Sequence, residues 1–153
     1  MTEPGPATVL QAGRRKAYRP LPSDVRRTAL AAGIAAYEAG DYFLAHELLE
    51  PAWMGTDDPV ERDLHQGVIK LAAAFVHEAR GNPLGIAKNL RGARTRLAAA
   101  TADPAHLRAT LDALEANLDL VTILEQVDAH LASLASDPGL STVPPVKLRR
   151  NRA

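Results

Sequence analysis

The sequence predicts an all-α fold, a compact bundle or array of five to six helices, from three observations. Apolar residues make up 46% of the chain and include many alanines, whereas aromatic residues make up only 4%. This composition favours close-packed helices over sheets, which prefer β-branched and aromatic residues. Apolar residues recur at helical spacing along most of the chain, and we find no alternating strand pattern. The 153 residues are enough for one domain with its own core.

Residues that favour helix N-termini precede the periodic segments. The predicted caps are, in chain order, Ser23, Asp41, Asp58, Asn82 and Asp103. Helix one is expected to end near Ala39, before Gly40, and helix three near Arg80, before Gly81, because glycine favours the position after a helix. Proline at the first position strengthens the starts of helices three, four and five.

Two segments are ambiguous. Pro51 lies inside helix two and removes one backbone donor, so we expect a kink or an early end there. Residues 104–135 are periodic throughout and are compatible with one long helix. Asp119 has the character of a new cap, which favours two shorter helices.

The ends of the chain differ from its middle. We predict an extended, partly disordered basic arm over residues 1–22, a single helical domain over 23–136, and a loose basic tail over 137–153. Each end carries four basic residues and one acidic residue, although the whole chain is neutral. The tails are either solvated or make weak, salt-sensitive contacts with a polyanion.

Several functional classes are excluded or disfavoured. The chain has no cysteine, which excludes disulfides and thiolate metal sites. No apolar run approaches the roughly 20 residues of a membrane span, and the N-terminus has no secretory signal, so we expect a cytoplasmic protein that does not enter a membrane. Glycine loops for phosphates and serine nucleophile elbows are absent.

The most informative stretch is Asp41–Trp53. Phe43, His46, Glu50 and Trp53 follow one another at intervals of three, four and three residues, which places them on one stripe of a helix. One interpretation is a buried histidine–carboxylate pair that stabilises the core. The others are a binding pocket, or a metal or acid–base site, because an i, i+4 pair directs both groups the same way.

Helix three should face this stripe and add polar partners. The candidate pocket comprises His46, Glu47, Glu50, Trp53, Gln66, Lys70 and His77. We predict no confident cofactor; if a divalent metal binds, its ligands would be His46 and Glu50 with His77 as the third. The stretch lacks the second imidazole of a zinc-peptidase helix.

Three functions remain open. The first is a non-enzymatic binding or structural module for an unknown small ligand or protein. The second is a small metal-dependent or acid–base enzyme that uses His46, Glu50 and His77. The third is weak association with anions or nucleic acid through the tails and the row Lys88, Arg91 and Arg94 of helix four. The alanine-rich face of helix one is also compatible with a homo-oligomer.

Three sequence blocks resemble a bacterial family known as domain of unknown function 309. The blocks are Phe43-Leu-Ala-His-Glu-x-x-Glu-x-x-Trp53, Arg62-x-x-x-Gln-Gly-x-x-Lys-Leu-Ala-Ala73 and His77-x-x-Arg-Gly-Asn-x-x-Gly85. The resemblance covers roughly residues 30–135 and implies a compact all-α domain of five or six helices. It implies that six of the seven candidate residues, all but Lys70, occupy signature positions, and it implies no activity. Pro51 and Met54 depart from the family pattern.

Overall fold

Six helices follow a short antiparallel hairpin in the computed structural model, which describes residues 7–11 and 13–149. The elements are β1 (Ala7–Gln11), β2 (Arg14–Tyr18), α1 (Ser23–Glu38), α2 (Tyr42–Met54), α3 (Pro59–Ala79), α4 (Pro83–Thr101), α5 (Pro104–Ala113) and α6 (Leu120–Ser136). The predicted all-α class and helix number are therefore confirmed for the described part of the chain.

Local capping explains most helix boundaries. Five predicted starts have a side-chain oxygen that accepts from a backbone N–H three residues later, at Asp41, Asp58, Asn82, Asp103 and Asp119. The prediction for Ser23 is wrong, because Ser23 is the first helical residue and follows Pro22 without a capping hydrogen bond. Gly40 and Gly81 follow α1 and α3 with φ of 83° and 67°, a conformation that glycine adopts without strain.

The two ambiguous segments are resolved by the structure. Helix α2 does not end at Pro51 but continues to Met54. Residues 104–135 form two helices, α5 and α6, and Asp119 caps the second, as the sequence favoured. Glu115 in the connection has φ of 52°, so the chain turns there through a left-handed residue.

Consecutive helices α1 to α4 pack side by side, and α6 packs on α4. The core is aliphatic; its fully buried members include Leu49, Leu64, Val68, Leu71, Ile86, Leu90, Leu97 and Ile123. Helices α3 and α4 approach closely at Gly67, where an added Cβ would sit 2.4 Å from Leu97 Cδ2. The rings of Tyr37, Tyr42 and Phe75 form a cluster with centroids 5.1–6.2 Å apart, in which Tyr37 packs edge-to-face on the other two.

The hairpin corrects the expectation that the chain has no strand. The five residues of β1 pair with those of β2, with Gln11 opposite Arg14 and Val9 opposite Lys16. Strand β2 reads Arg-Arg-Lys-Ala-Tyr, so it has no apolar alternation that would reveal it. The backbone N–H groups of Arg19 and Leu21 donate to the carbonyls of Met54 and Gly55 at the end of α2, at 2.8 and 3.0 Å. The described part of the predicted arm is thus attached to the helices; residues 1–6 lie outside the described residues.

The segment after α6 also differs from the expected loose tail. Val143, Val146 and Leu148 are buried, and the hydroxyl of Tyr37 donates to the carbonyl of Val146 at 2.7 Å. These apolar residues lie in a proline-containing stretch without helical or strand periodicity, so the sequence carries no signal for their burial. Residues 150–153 lie outside the described residues.

Candidate functional site

The predicted stripe of α2 contains a cluster of three metal-ligating side chains. One ligand atom from each of His46, Glu47 and Glu50 lies within 4.8 Å of the others. The side chains of His46 and Glu47 are 34% and 55% exposed, so the cluster faces outward. The interpretation of His46 and Glu50 as a buried histidine–carboxylate pair does not fit an imidazole that is about one-third exposed.

His77 does not complete this cluster. Its Nδ1 lies 3.2 Å from Nδ2 of Asn82, and its ring contacts Gly85 at the start of α4, where an added Cβ would sit 2.5 Å from the ring. Within the described part of the chain, Glu47 rather than His77 is the third member of the group. The glutamate side chain is long enough to reach back beside its neighbour, which helical projection does not convey.

A second group of predicted residues meets the hairpin. Trp53 Nε1 donates to Gln11 Oε1 at 3.0 Å, and Gln11 Nε2 donates to Gln66 Oε1 and Asp63 Oδ1 at 2.6 and 3.0 Å. Gln11 is 7% exposed. One glutamine side chain therefore joins β1 to both α2 and α3, which explains why the hairpin docks there.

Next to the contact between Gln11 and Gln66 lies a cavity of about 260 Å³, which we call the cationic pocket. Its six lining residues are all polar: Gln11, Arg14, Lys16, Gln66, Lys70 and Arg96. Arg96 Nη1 contacts Asp63 Oδ1 at 3.3 Å. Among the described residues, no carboxylate pairs with Arg14, Lys16 or Lys70. The pocket thus concentrates positive charge in a chain that is neutral overall.

The environment of Lys70 reflects this crowding. Burial lowers its pKa, and the neighbouring cations Arg96, Lys16 and Lys88 lower it further. The stem of Lys70 passes over Gly92 of α4, where an added Cβ would sit 2.6 Å from Lys70 Cδ. A glycine at this position lets the ammonium-bearing chain lie between α3 and α4.

A buried histidine–carboxylate pair does exist, but at a different place. His65 is 0% exposed, and its Nε2 lies 3.0 Å from Glu61 Oε2. Arg26 of α1 donates to both oxygens of the same carboxylate, at 2.6 and 3.3 Å. Burial opposes ionisation of Glu61, but the hydrogen bonds and charges of His65 and Arg26 outweigh it, so its pKa is lowered. The spacing Glu61-x-x-x-His65 could have indicated this pair, because it places the two side chains on the same face of the helix.

Arg62 is another buried group that the motif search did not single out as functional. It is 1% exposed, and its Nη1 donates to the carbonyls of Trp53 and Thr56 at 3.1 and 3.0 Å. Its guanidinium carbon lies 5.1 Å from the centroid of the Trp53 ring. Arg62 Nε and Nη2 have no hydrogen-bond partner among the described residues. Arg62 therefore holds the end of α2 against α3, and its guanidinium packs on the face of the Trp53 ring.

A larger cavity, of about 800 Å³, lies between the α1–α2 corner and the segment after α6. Its lining includes Tyr37, Tyr42 and residues 144–149. Glu38 and Arg149, which also line it, form a two-point hydrogen-bonded ion pair. Unlike the cationic pocket, this cavity does not gather several unneutralised charges of one sign.

The seven predicted site residues therefore occupy three places. His46, Glu47 and Glu50 form the outward cluster on α2. Trp53, Gln66 and Lys70 meet the hairpin, with Trp53 and Gln66 bound to Gln11 and Lys70 in the cationic pocket beside Gln66. His77 lies at the α3–α4 corner, bonded to Asn82. The prediction from the sequence omitted four pocket residues: Gln11, Arg14, Lys16 and Arg96. Strand pairing and helix packing bring them to Lys70, and the sequence pattern does not show these contacts.

Fold and cavity together define a small all-α domain with an N-terminal hairpin that closes one side of a charged pocket. No helix among the described residues is both long and apolar enough to cross a membrane. Residues 30–89 match the family model DUF309, a domain of unknown function, which agrees with the resemblance found in the sequence. The match is shorter than the predicted range of 30–135. No curated protein and no solved structure shows significant similarity to the chain.

Proposed function

We propose that this protein is a non-enzymatic binding module that holds an anionic group in the cationic pocket. The observation that carries the proposal is the convergence of Arg14, Lys16 and Lys70 without a paired carboxylate among the described residues. Like charges held this close repel one another, and the repulsion is stronger where burial limits water. A bound anion would relieve it and would gain charge-assisted hydrogen bonds from the same groups.

The docking of the hairpin supports this proposal. Arg14 and Lys16 lie on β2, whereas Lys70 and Arg96 lie on α3 and α4. Gln11 fixes the hairpin on α2 and α3 through neutral hydrogen bonds to Trp53 and Gln66. The fold therefore uses a separate set of contacts to hold mutually repelling groups around one cavity, which is the arrangement a preorganised anion site requires.

The test is calorimetric titration with sodium sulfate at constant ionic strength, since exposed charges are screened by salt. We expect saturable one-site binding that weakens about tenfold in Lys70→Met, because the pocket loses a charge-assisted contact. The matched control is Lys147→Met, at an exposed position outside the cationic pocket, and it should bind as the native protein does. An absence of saturable binding, or equal losses in both variants, would refute the proposal.

A second variant keeps every charge. Gly92→Ala places a methyl group 2.6 Å from the flexible stem of Lys70, so the ammonium must move while the helices stay in place. We expect weaker sulfate binding with a melting temperature close to that of the native protein. Native-like sulfate affinity would show that the position of Lys70 is irrelevant to binding.

We propose a divalent cation at the cluster of His46, Glu47 and Glu50 as a second candidate function. It is supported by three ligand atoms within 4.8 Å of one another, a nitrogen and oxygen set that suits zinc. A bound metal with open positions is also what the metal-dependent enzyme alternative requires. Calorimetric titration with Zn²⁺ should show binding that His46→Gln abolishes and His130→Gln, on α6, leaves unchanged. Equal binding by both variants would eliminate this site.

A further inference from the structure

The cationic pocket also carries information about the class of anion. Resting on the proposed function, we infer that its ligand is a small phosphomonoester or inorganic phosphate, bound as a dianion through its terminal phosphate. Three features of the pocket support this inference: its lining, its size and its charge.

The lining excludes recognition of a base or another ring. All six lining residues are polar, and none has an aromatic ring. Proteins that bind single-stranded nucleic acid use aromatic side chains on which bases stack. The ring nearest the junction, Trp53, has its indole N–H bonded to Gln11 and its face against Arg62. The pocket is therefore equipped to contact an oxyanion and no apolar group.

The size limits how much of a ligand can enter. The cavity volume of about 260 Å³ lies just below the roughly 300–1,000 Å³ typical of pockets that enclose a whole small molecule. It corresponds to roughly nine water molecules at about 30 Å³ each. A phosphate group with a few bridging waters fits this space, and the rest of the ligand would remain outside.

The charge favours a dianion over a monoanion. Arg14, Lys16 and Lys70 have no paired carboxylate among the described residues, and Asp63 offsets Arg96. An internal phosphodiester brings one negative charge and leaves most of this excess uncompensated. A terminal phosphate carries about −1.5 to −2 at pH 7 and offers three strong acceptor oxygens. These can be reached from β2, α3 and α4 at once.

The contacts of Gln11 provide a direct readout. The chain has one tryptophan, Trp53, and its indole N–H is bonded to Gln11 on the hairpin that also carries Arg14 and Lys16. An anion that draws these cations towards Lys70 and Arg96 changes the contact between hairpin and indole. Trp53 emission should therefore report occupancy of the pocket, with calorimetry as the independent measurement.

The experiment compares four probes at pH 7 and constant ionic strength: inorganic phosphate, glycerol 3-phosphate, dimethyl phosphate and sulfate. We expect glycerol 3-phosphate, which is mainly a dianion at pH 7, to bind at least about tenfold more tightly than dimethyl phosphate, because the monoanion compensates less charge. Inorganic phosphate, which is only partly dianionic at this pH, should also bind more tightly than dimethyl phosphate. Lys16→Met, at a half-buried position on β2, should reduce this preference, and Lys147→Met should preserve it. Equal affinities for the monoester and the diester would overturn the inference.

A pH series sharpens the comparison. The charged groups that line the pocket are Arg14 and Lys16 from β2, Lys70 from α3 and Arg96 from α4. Nearby charges are Asp63 of α3, which pairs with Arg96, and Lys88 of α4, which acts on Lys70. No histidine lines the described pocket. A phosphomonoester has a second pKa near 6, so the dianion fraction of glycerol 3-phosphate rises about tenfold between pH 5 and 7. Its affinity should rise by about this factor while sulfate affinity stays constant; parallel behaviour of the two ligands would contradict dianion selection.

The outcomes separate this inference from the proposed function. If no anion binds, or if Lys70→Met binds them all normally, the pocket has no anion function. If sulfate binds and the diester matches the monoester, the pocket binds anions but the inferred ligand class is wrong. If an oligonucleotide without a terminal phosphate binds more tightly than glycerol 3-phosphate, the ligand is a nucleic-acid backbone, which also overturns the inference.

Discussion

Two histidine–glutamate pairs with the same i, i+4 spacing have opposite environments in this protein. His46 and Glu50 lie on the outer side of α2, where His46 is about one-third exposed. Glu61 and His65 lie on α3, where His65 is fully buried and Arg26 from α1 completes the group. The comparison teaches that spacing determines only that two side chains can meet. Their environment depends on which neighbouring helix covers them.

The largest expected difference follows from removing each carboxylate. Glu61→Ala leaves Arg26 and His65 without their shared acceptor, so we expect a loss of about 3 kcal/mol in the free energy of unfolding. Glu50→Ala should change it by no more than about 0.5 kcal/mol, as is usual for accessible positions. Urea denaturation of the two variants measures both values. Similar losses would mean that the two pairs are energetically alike, against the comparison.

Removing each imidazole should give a smaller contrast. His65→Ala creates a cavity between helices and unpairs Glu61 on one side, which we expect to cost about 2 kcal/mol. His46→Ala should cost no more than about 0.5 kcal/mol, because the ring is accessible and has no buried partner. Thermal or urea unfolding would check this. A loss above about 1 kcal/mol for His46→Ala would show that the outer cluster is structural after all.

The smallest contrast lies in the pH dependence of stability. The folded-state pKa of Glu61 is lowered below its ordinary value of 4.5. Its contribution is therefore complete above about pH 4.5 and declines as pH falls through the lower folded-state value. The native protein should lose stability more steeply below pH 4.5 than Glu61→Gln does. Parallel native and Glu61→Gln curves would contradict a lowered pKa in the folded state.

Much of the fold was predictable because its signals are local. Asp41, Asp58, Asn82, Asp103 and Asp119 each cap the helix that follows, and the bonds involved span three residues. The choice of two helices over residues 104–135 rested on the same local signal at Asp119. Ser23 was misjudged by the same logic, because Pro22 leads directly into α1.

The site was only partly predictable, because its contacts are distant in sequence. Gln66 and Lys70 were selected on helix three, but their partners Gln11 and Lys16 lie more than 50 residues earlier. The anion-binding row predicted on helix four comprised Lys88, Arg91 and Arg94. In the structure, Arg94 pairs with Asp128 of α6, and Arg96 lines the cationic pocket. A helical projection gives the angle of a residue but not which face its neighbours leave open.

The sequence by itself determined the all-α class and five helix starts, because composition, periodicity and capping act over a few residues. Only the tertiary structure decided which histidine is buried, where the hairpin docks and which cations share a pocket. The physical reason is that burial and charge crowding are produced by chain segments that meet in space. Arg26, Gln11 and Lys16 each interact with a residue of α3: Glu61, Gln66 and Lys70, respectively. The residues next to them in the sequence do not predict these contacts.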